Sequence, residues 1–597
     1  MPFRESESDG VLRLTLDTPG SPVNVFNLAT ARQLCGILDN LDAARTRAVV
    51  FDTAKPDSFL NGVGLMLAHA TRTRDDVMSA AEIPWSAYRA IYECPVPTFA
   101  VVQGSCFGCG VEFALSCDYR IAADTSVTQF YMTEVADYLF LPLFGSTWNL
   151  PETVGLESAI DLLLWGQRWD AATAMRNGLV DEVAPASELA AVAHAFATRT
   201  AGLPVPEPAA AAWGDAEELA VARTRQRIDA LPPTYQPLYE QALELLMLGA
   251  KKSGTYREHQ RRELEASAHS ALSANGKAAY SFFYLRQMAS QRATGGARTG
   301  SAVLSVGIRD TDDGDARTLA RDFVQRRVPQ LQTAHWDDAA LRLVSAGSAH
   351  ADAAAGSGAV RVCLRAGHCD AVGLGIYAPA YHRGGRLVEL AGTVSDGDED
   401  LARELARALQ RLGLEVARTT PRAGTLSDRM LAAYWRPWLA FAGGGGGAHL
   451  LNATLRAAGF VRLPSHVIDD LGGEPLASLL AARLGHGVGS ADVALEALAD
   501  AGFGAEQDPS LLDAFALSMV EVCAEVREAR EARDQTILDL IARELLDFPR
   551  HLCSLGCWLT VDRVRSALAN GPACALAGQA AAMRAARFAD EGREFYR

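Results

Sequence analysis

In Gly104-Ser-Cys-Phe-Gly-Cys-Gly-Val-Glu112-Phe-Ala-Leu-Ser-Cys-Asp118, a glycine-rich turn runs directly into an apolar helical segment with one carboxylate in its first turn. Such a turn offers backbone N–H groups to a developing oxyanion, and the helix N-terminus adds its positive end. Glu112 is then held beside the same reacting atom. These parts suffice to polarise a carbonyl and to move protons next to it. A glutamate in a first helical turn is also commonly a cap or dipole partner, so the role of Glu112 depends on what surrounds it.

Working outward, residues 11–17 alternate with period two and predict a strand, while Leu28, Ala31, Leu34, Ile37, Leu38 and Leu41 form one face of a helix over 28–43. Residues 48–52 and 97–103 predict short buried strands, and 118–123 another. Strand, helix, strand, loop, helix, strand is an α/β rhythm. From about 156 to 300 strand signals fade, and 257–292 predicts strong helix. Thr294-Gly-Gly-Ala-Arg-Thr-Gly-Ser301 marks the main domain boundary. Beyond it strands are predicted at 302–307, 360–364 and 371–377 and a helix at 401–412, with helical patterns again past 429. The glycine run at 442–448 interrupts them as a loop or turn, and 511–546 is amphipathic and helical.

A chain of 597 residues is too long for one core. No run of eighteen or more uncharged apolar residues is present, and the polar N-terminus lacks a secretory core, so the expectation is no membrane span and a cytoplasmic location. A net charge of −16 disfavours nucleic acid and anionic membranes as partners. Eleven cysteines, an odd number over a long chain, do not form a disulfide framework. Neither Cys106/Cys109 nor Cys553/Cys557 has a second pair at zinc spacing, and no metal is expected.

Three segments, in order, resemble the crotonase superfamily, the enoyl-CoA hydratase/isomerase family. Ser58-Phe-Leu-Asn-Gly-Val-Gly-Leu65 resembles its first oxyanion loop, and residues 104–118 its second loop and helix. Glu134-Val, followed by Pro142-Leu-Phe-Gly-Ser-Thr-Trp-Asn-Leu-Pro151, resembles its second catalytic-acid segment. The resemblance implies oxyanion N–H donors on Val63 and Cys109 and paired catalytic carboxylates at Glu112 and Glu134. Substrate-binding positions fall at Leu60, Asn61, Gly62, Gly108, Gly110, Tyr131 and Phe144. Asp137 is the alternative to Glu134. The implied substrate is an acyl thioester of CoA or of carrier-bound pantetheine, with no further cofactor. The implied reaction is enoyl hydration or dehydration through an enolate. The alternatives are double-bond isomerisation, other enolate chemistry on a specialised acyl thioester, and a non-catalytic subunit of an acyl-processing assembly. A homo-oligomer or docking of a carrier protein is also implied. Cys109 stands where glycine is usual, Gly64 where an acid is common, and Pro142-Leu-Phe-Gly-Ser makes a bulkier, more apolar wall.

The likeness continues into multifunctional fatty-acid oxidation proteins, where a hydratase precedes a 3-hydroxyacyl-CoA dehydrogenase. Residues 279–286, 375–390, 393–399, 412–418 and 424–431 carry it. The implied architecture is a crotonase-like spiral domain (1–195), a helical extension and linking helix (196–296), and a shortened Rossmann-like domain (297–420). A helical dehydrogenase-like domain (421–500) and a C-terminal helical domain (501–597) follow. The dehydrogenase chemistry is missing. Gly307-Ile-Arg-Asp-Thr-Asp-Asp-Gly314 lacks the G-x-G-x-x-G spacing, and Asp310, Asp312 and Asp313 would repel a pyrophosphate. The family's catalytic histidine falls at Gly375, its substrate-binding asparagine at Asp428, and the glutamate that orients the histidine at Glu389. No NAD-dependent activity is expected.

Overall fold

The computed structural model describes residues 2–21, 23–62, 73–201, 213–279, 281, 305–308, 332–333, 341–345, 360–363, 375–377, 387–391, 402–403, 406–407, 409–410, 414–419, 426–444, 447–471, 476–477, 480, 506–529, 536–552 and 554–591. The chain forms two compact units, Met1–Ser281 and Phe282–Arg597.

The strands of the first unit are β1 (Phe3–Ser8), β2 (Val11–Leu16), β3 (Ala48–Thr53), β4 (Ser58–Asn61), β5 (Thr98–Val102), β6 (Ser105–Phe107), β7 (Tyr119–Asp124), β8 (Gln129–Tyr131), β9 (Trp169–Asp170) and β10 (Glu182–Pro185). The larger sheet has the order β1-β2-β3-β5-β7-β10, and the smaller β4-β6-β8-β9. In the larger sheet only β1 and β2 pair antiparallel. Every residue of β5 is buried. A central parallel strand is covered on both faces, which is why its sequence is continuously apolar. Two strands differ from the sequence expectation. β1, with only Phe3 buried, is a charged edge strand whose residues protect the sheet edge rather than fill a core. β10 is four residues long, ends in Pro185, and joins β7 inside the region where strand signals fade.

The helices that position the site are α1 (Leu28–Asp39), α2 (Arg74–Tyr92), α3 (Cys109–Ser116), α4 (Glu134–Tyr138), α5 (Ser146–Val154), α6 (Gln236–Ala250) and α7 (Tyr256–Leu272). Their starts are written in the sequence. Asn27 caps α1 by accepting from Thr30 N–H at 3.0 Å, and Thr73 and Asp76 cap α2 reciprocally. The long helix predicted over 257–292 stops at Leu272. Ser273 turns extended, and its hydroxyl accepts from Gly276 N–H at 3.0 Å, so it caps a new helical stretch instead of continuing the old one. Between the larger sheet and the helices, Tyr88 stacks on Phe144 at 4.3 Å, and Phe26 meets Tyr88 edge-on at 4.9 Å.

In the second unit, β11 (Ser305–Ile308), β12 (Gln332–Thr333), β13 (Leu341–Ser345), β14 (Val360–Cys363), β15 (Gly375–Tyr377), β16 (Leu387–Ala391) and β17 (Glu415–Thr419) form one sheet in the order β12-β11-β13-β14-β15-β16-β17. Only β15 and β16 pair antiparallel. Of the segment 307–314, Gly307 and Ile308 end β11, and Asp310, Asp312 and Asp313 lie outside the described residues. Helix α8 (Leu426–Gly443) buries Tyr434, Trp435 and Trp438 in a second core shared with α9 (Pro509–Ala529) and α10 (Thr536–Leu546). The amphipathic pattern of 511–546 is thus carried by two helices. No helix among the described residues is long and apolar enough to cross a membrane.

Candidate active site

Strands β4 and β6 pair in parallel, Leu60 beside Cys106 and Asn61 beside Phe107, which sets the two glycine turns side by side. Gly62 N–H donates to the Phe107 carbonyl at 3.0 Å. With its amide oriented to satisfy both its groups, Asn61 donates to the Ser105 carbonyl at 2.8 Å. Val63 lies outside the described residues. Across the seam, Gly108 N–H donates to the Tyr131 carbonyl at 2.8 Å. Cys109 is the first residue of α3, so its N–H is one that the helix itself leaves without an acceptor.

Two glycines allow this arrangement. Gly108 has φ 54°, and a Cβ there would lie 2.7 Å from Glu134 Oε1, so this carboxylate sits directly against the second turn. A Cβ at Gly110 would lie 2.0 Å from the Leu60 carbonyl oxygen, so α3 packs backbone to backbone on the first loop. At Gly110 the structure shows a packing contact.

Helix α3 is buried throughout. Glu112 is 1% exposed, and its Oε1 accepts from Phe144 N–H at 2.9 Å. Burial, with the Glu134 and Glu263 carboxylates facing it, pushes its carboxyl group well above the usual range. Glu134, the first residue of α4, is also buried, and its Oε2 accepts from Thr133 N–H at 2.9 Å. Burial raises it to about 7, although its backbone hydrogen bonds pull the other way. Two buried carboxyl groups that act on each other, one of them raised to about 7, can hold and exchange a proton.

The residues expected to line the substrate take distinct places. Leu60 is fully buried. The Tyr131 hydroxyl donates to Asp137 Oδ2 at 2.7 Å, and the Arg168 guanidinium lies 4.0 Å above the Tyr131 ring. Asp137, the alternative to Glu134, is thus engaged by Tyr131. Phe144 contributes its backbone N–H to the site, and its ring belongs to the core on Tyr88. The Tyr88 hydroxyl donates to the Cys109 carbonyl at 2.8 Å. Cys106 and Cys109 carry free thiols that burial pushes well up, so they stay neutral.

One group at the site is absent from the sequence-based set. Glu263 on α7 is fully buried and accepts from Gly145 N–H at 2.5 Å, from Thr147 N–H at 2.9 Å and from the Thr147 hydroxyl. A solvated helix explains Arg261-Arg-Glu-Leu-Glu265 equally well, which conceals it. The available signal is a stripe of polar residues at helical spacing, Tyr256, His259, Gln260, Glu263, Ser267 and Ser270, every one of them buried.

Residues 6–209 match the Enoyl-CoA hydratase/isomerase family. The chain is 31% identical over 195 residues to the fatty acid oxidation complex subunit alpha of Aliivibrio fischeri, covering 32% of this chain and 28% of that protein. It is 29% identical over 249 residues to the subunit of the same name from Shewanella loihica, covering 42% of this chain and 33% of that protein. The chain thus spans about a third or less of the curated relatives it matches. A solved enoyl-CoA hydratase from Bacillus anthracis is similar at 25% identity, with 41% of this chain and 90% of that one covered and a TM-score of 0.32. The N-terminal part of this chain is a domain of the crotonase, or enoyl-CoA hydratase/isomerase, family.

Proposed function

We propose that the first unit hydrates an α,β-unsaturated acyl thioester, or runs the reverse dehydration, with Glu112 and Glu134 as its acid–base pair. The observation that carries the proposal is the burial of two carboxyl groups that act on each other, Glu134 against the Gly108 turn and Glu112 on the helix that follows it, each raised in pKa. In this reading the thioester oxygen takes a hydrogen bond from the Cys109 N–H, with Val63, which lies outside the described residues, as the second donor that the family resemblance implies. Glu134, as carboxylate, takes a proton from water while the water oxygen bonds to the β-carbon. The π electrons move to the thioester oxygen as an enolate, which the two N–H groups stabilise. The enolate then collapses as Glu112 gives its proton to the α-carbon. Water has been added across the double bond, and the proton gained by Glu134 replaces the one lost by Glu112. A double-bond isomerase can run on one carboxylate, and the second buried glutamate is what favours hydration. The test is product analysis of a conjugated enoyl thioester: a 3-hydroxyacyl thioester supports hydration, and a shifted double bond supports isomerisation.

The pH profile follows from the raised groups. Glu134 must be ionised to accept the proton, so kcat/KM rises with pH through about 7, and the limb disappears in Glu134→Gln. Stability moves the other way. A carboxyl group whose folded pKa is raised contributes stability that is present below its unfolded pKa and lost as pH rises through the folded one. Glu134→Gln is therefore expected to be more stable than wild type at pH 8, by up to about 3 kcal/mol, and indistinguishable or weaker at pH 4. Denaturant unfolding at the two pH values checks this.

The acyl carrier, CoA or protein-bound pantetheine, is part of the same proposal. For the second unit we propose a dehydrogenase-like domain without nicotinamide chemistry. Gly375, in β15, offers no base at the histidine position. Glu389 is fully committed: Oε1 accepts from Thr419 Oγ1 at 2.6 Å and Leu426 N–H at 2.8 Å, and Oε2 from Ser427 N–H at 2.9 Å and Ser427 Oγ at 2.7 Å. It serves as the cap of α8. Titration of the full chain with NADH is expected to give no saturable fluorescence change, and tight binding would overturn the proposal.

A further inference from the structure

We propose that Glu263 is a positioning residue of this site, which from α7 fixes the turn whose Phe144 N–H holds Glu112. The proposal rests on the assignment of Glu112 given above. Three N–H groups around the start of α5 are divided between two buried carboxyl groups: Phe144 serves Glu112, while Gly145 and Thr147 serve Glu263. Gly145 is the N-cap residue of α5 and has no side chain with which to cap it. Glu263 supplies that cap from another helix. The same face of α7 also holds the start of the segment. Ser270 Oγ accepts from Leu141 N–H at 3.0 Å, and Ser267 Oγ donates to the Leu141 carbonyl at 2.6 Å. Residues 141–147 are thus gripped at both ends by α7 and used by Glu112 in the middle.

A chain of hydrogen bonds completes the grip. Thr147 spends its one hydroxyl proton on Glu263, so the 2.8 Å contact with His259 Nε2 requires that nitrogen to donate. His259 Nδ1 is then bare, and it is buried without a partner. Burial lowers His259 to about 4, which keeps the ring neutral in this role.

Glu263 also brings charge. The titratable groups facing Glu112 are Glu134 on α4, Glu263 and Tyr256 on α7, Tyr88 on α2 and Cys109 on its own helix. Burial pushes both tyrosines and the cysteine well up, so they stay neutral. Among the described residues, the carboxyl groups of Glu134 and Glu263 are the ones whose charge bears on Glu112; burial raises Glu263 as well, and its hydrogen bonds from Thr147 and Gly145 oppose that rise and favour its ionised form.

The test is an infrared titration of the protonated carboxyl band of the full chain, with Glu112→Gln used to assign the Glu112 component. In Glu263→Gln that component is expected to titrate about one unit or more lower, because a like charge has been removed. In the activity profile, the alkaline limb set by Glu112 moves by the same amount, with kcat lowered more than KM is raised. Thr147→Val, which takes one donor from Glu263 while leaving its carboxyl group, moves the band in the same direction by a smaller step. It also guards against a Glu263→Gln protein that does not fold. A Glu112 band unmoved in the folded variants overturns the positioning role, even if the enzyme is active. Absence of turnover on any enoyl thioester, with the band shifting as expected, overturns the hydratase assignment and leaves the positioning role standing.

Discussion

Glu112→Gln is expected to lower turnover of a conjugated enoyl thioester by about 10²–10⁴-fold, the range that one positioned acid–base group supplies. Glutamine keeps the size of the side chain, and its Oε1 can still accept from Phe144 N–H, so the turn at 141–147 stays in place. What is lost in the proposed mechanism is the proton for the α-carbon. The loss therefore falls on kcat, with KM little changed, the pattern of an interaction made only in the transition state. Because the carboxyl group of Glu112 is held well above its usual pKa by burial, its removal does not destabilise the domain at neutral or alkaline pH. Steady-state kinetics with thermal unfolding of the same protein separate the two effects.

Gly110→Ala has the second large effect, by a different physical route. The added methyl group would lie 2.0 Å from the Leu60 carbonyl oxygen and 2.9 Å from its carbon. No side-chain rotation relieves a clash with backbone, so either α3 or β4 must move. Overpacking of this kind costs about 1–3 kcal/mol. The movement also shifts the helix that carries the proposed Cys109 donor relative to the first loop, and a displacement of about 1 Å can cost roughly 10²-fold in rate. Gly36 in α1 is the control, since nothing lies within 4 Å of a Cβ there. Gly36→Ala is expected to be neutral or stabilising by up to about 1 kcal/mol, because alanine favours a helix interior over glycine. Denaturant unfolding and activity measured on both variants distinguish strain at the seam from a general effect of losing a glycine.

The sequence shows those parts of the fold in which burial on one or both faces imposes a pattern. β2, β3, β5 and β7 fall where apolar runs or alternation place them, and α1 where its apolar face repeats. β1 escapes because an edge strand exposed to water needs charge more than alternation, and β10 because four residues ending in proline make a weak signal. At the site, Glu112 and the second turn are legible because glycine spacing and a first-turn carboxylate are local features. The nearness of Glu134 to Gly108 is not local: it depends on the pairing of β6 with β8. Glu263 is hidden for a similar reason. Its partners are backbone N–H groups more than a hundred residues away, and its neighbours in sequence are arginines and a second glutamate that suit a solvated helix.

Whether the first unit adds water to an enoyl thioester through Glu112 and Glu134 is read from the conjugated-thioester absorbance of crotonyl-CoA, and of a longer enoyl-CoA, with wild type, Glu112→Gln and Glu134→Gln. The predicted result is loss of absorbance with wild type and a fall of at least about 10²-fold with each variant. Turnover that is unaffected by both substitutions would rule out this pair of glutamates as the acid and base.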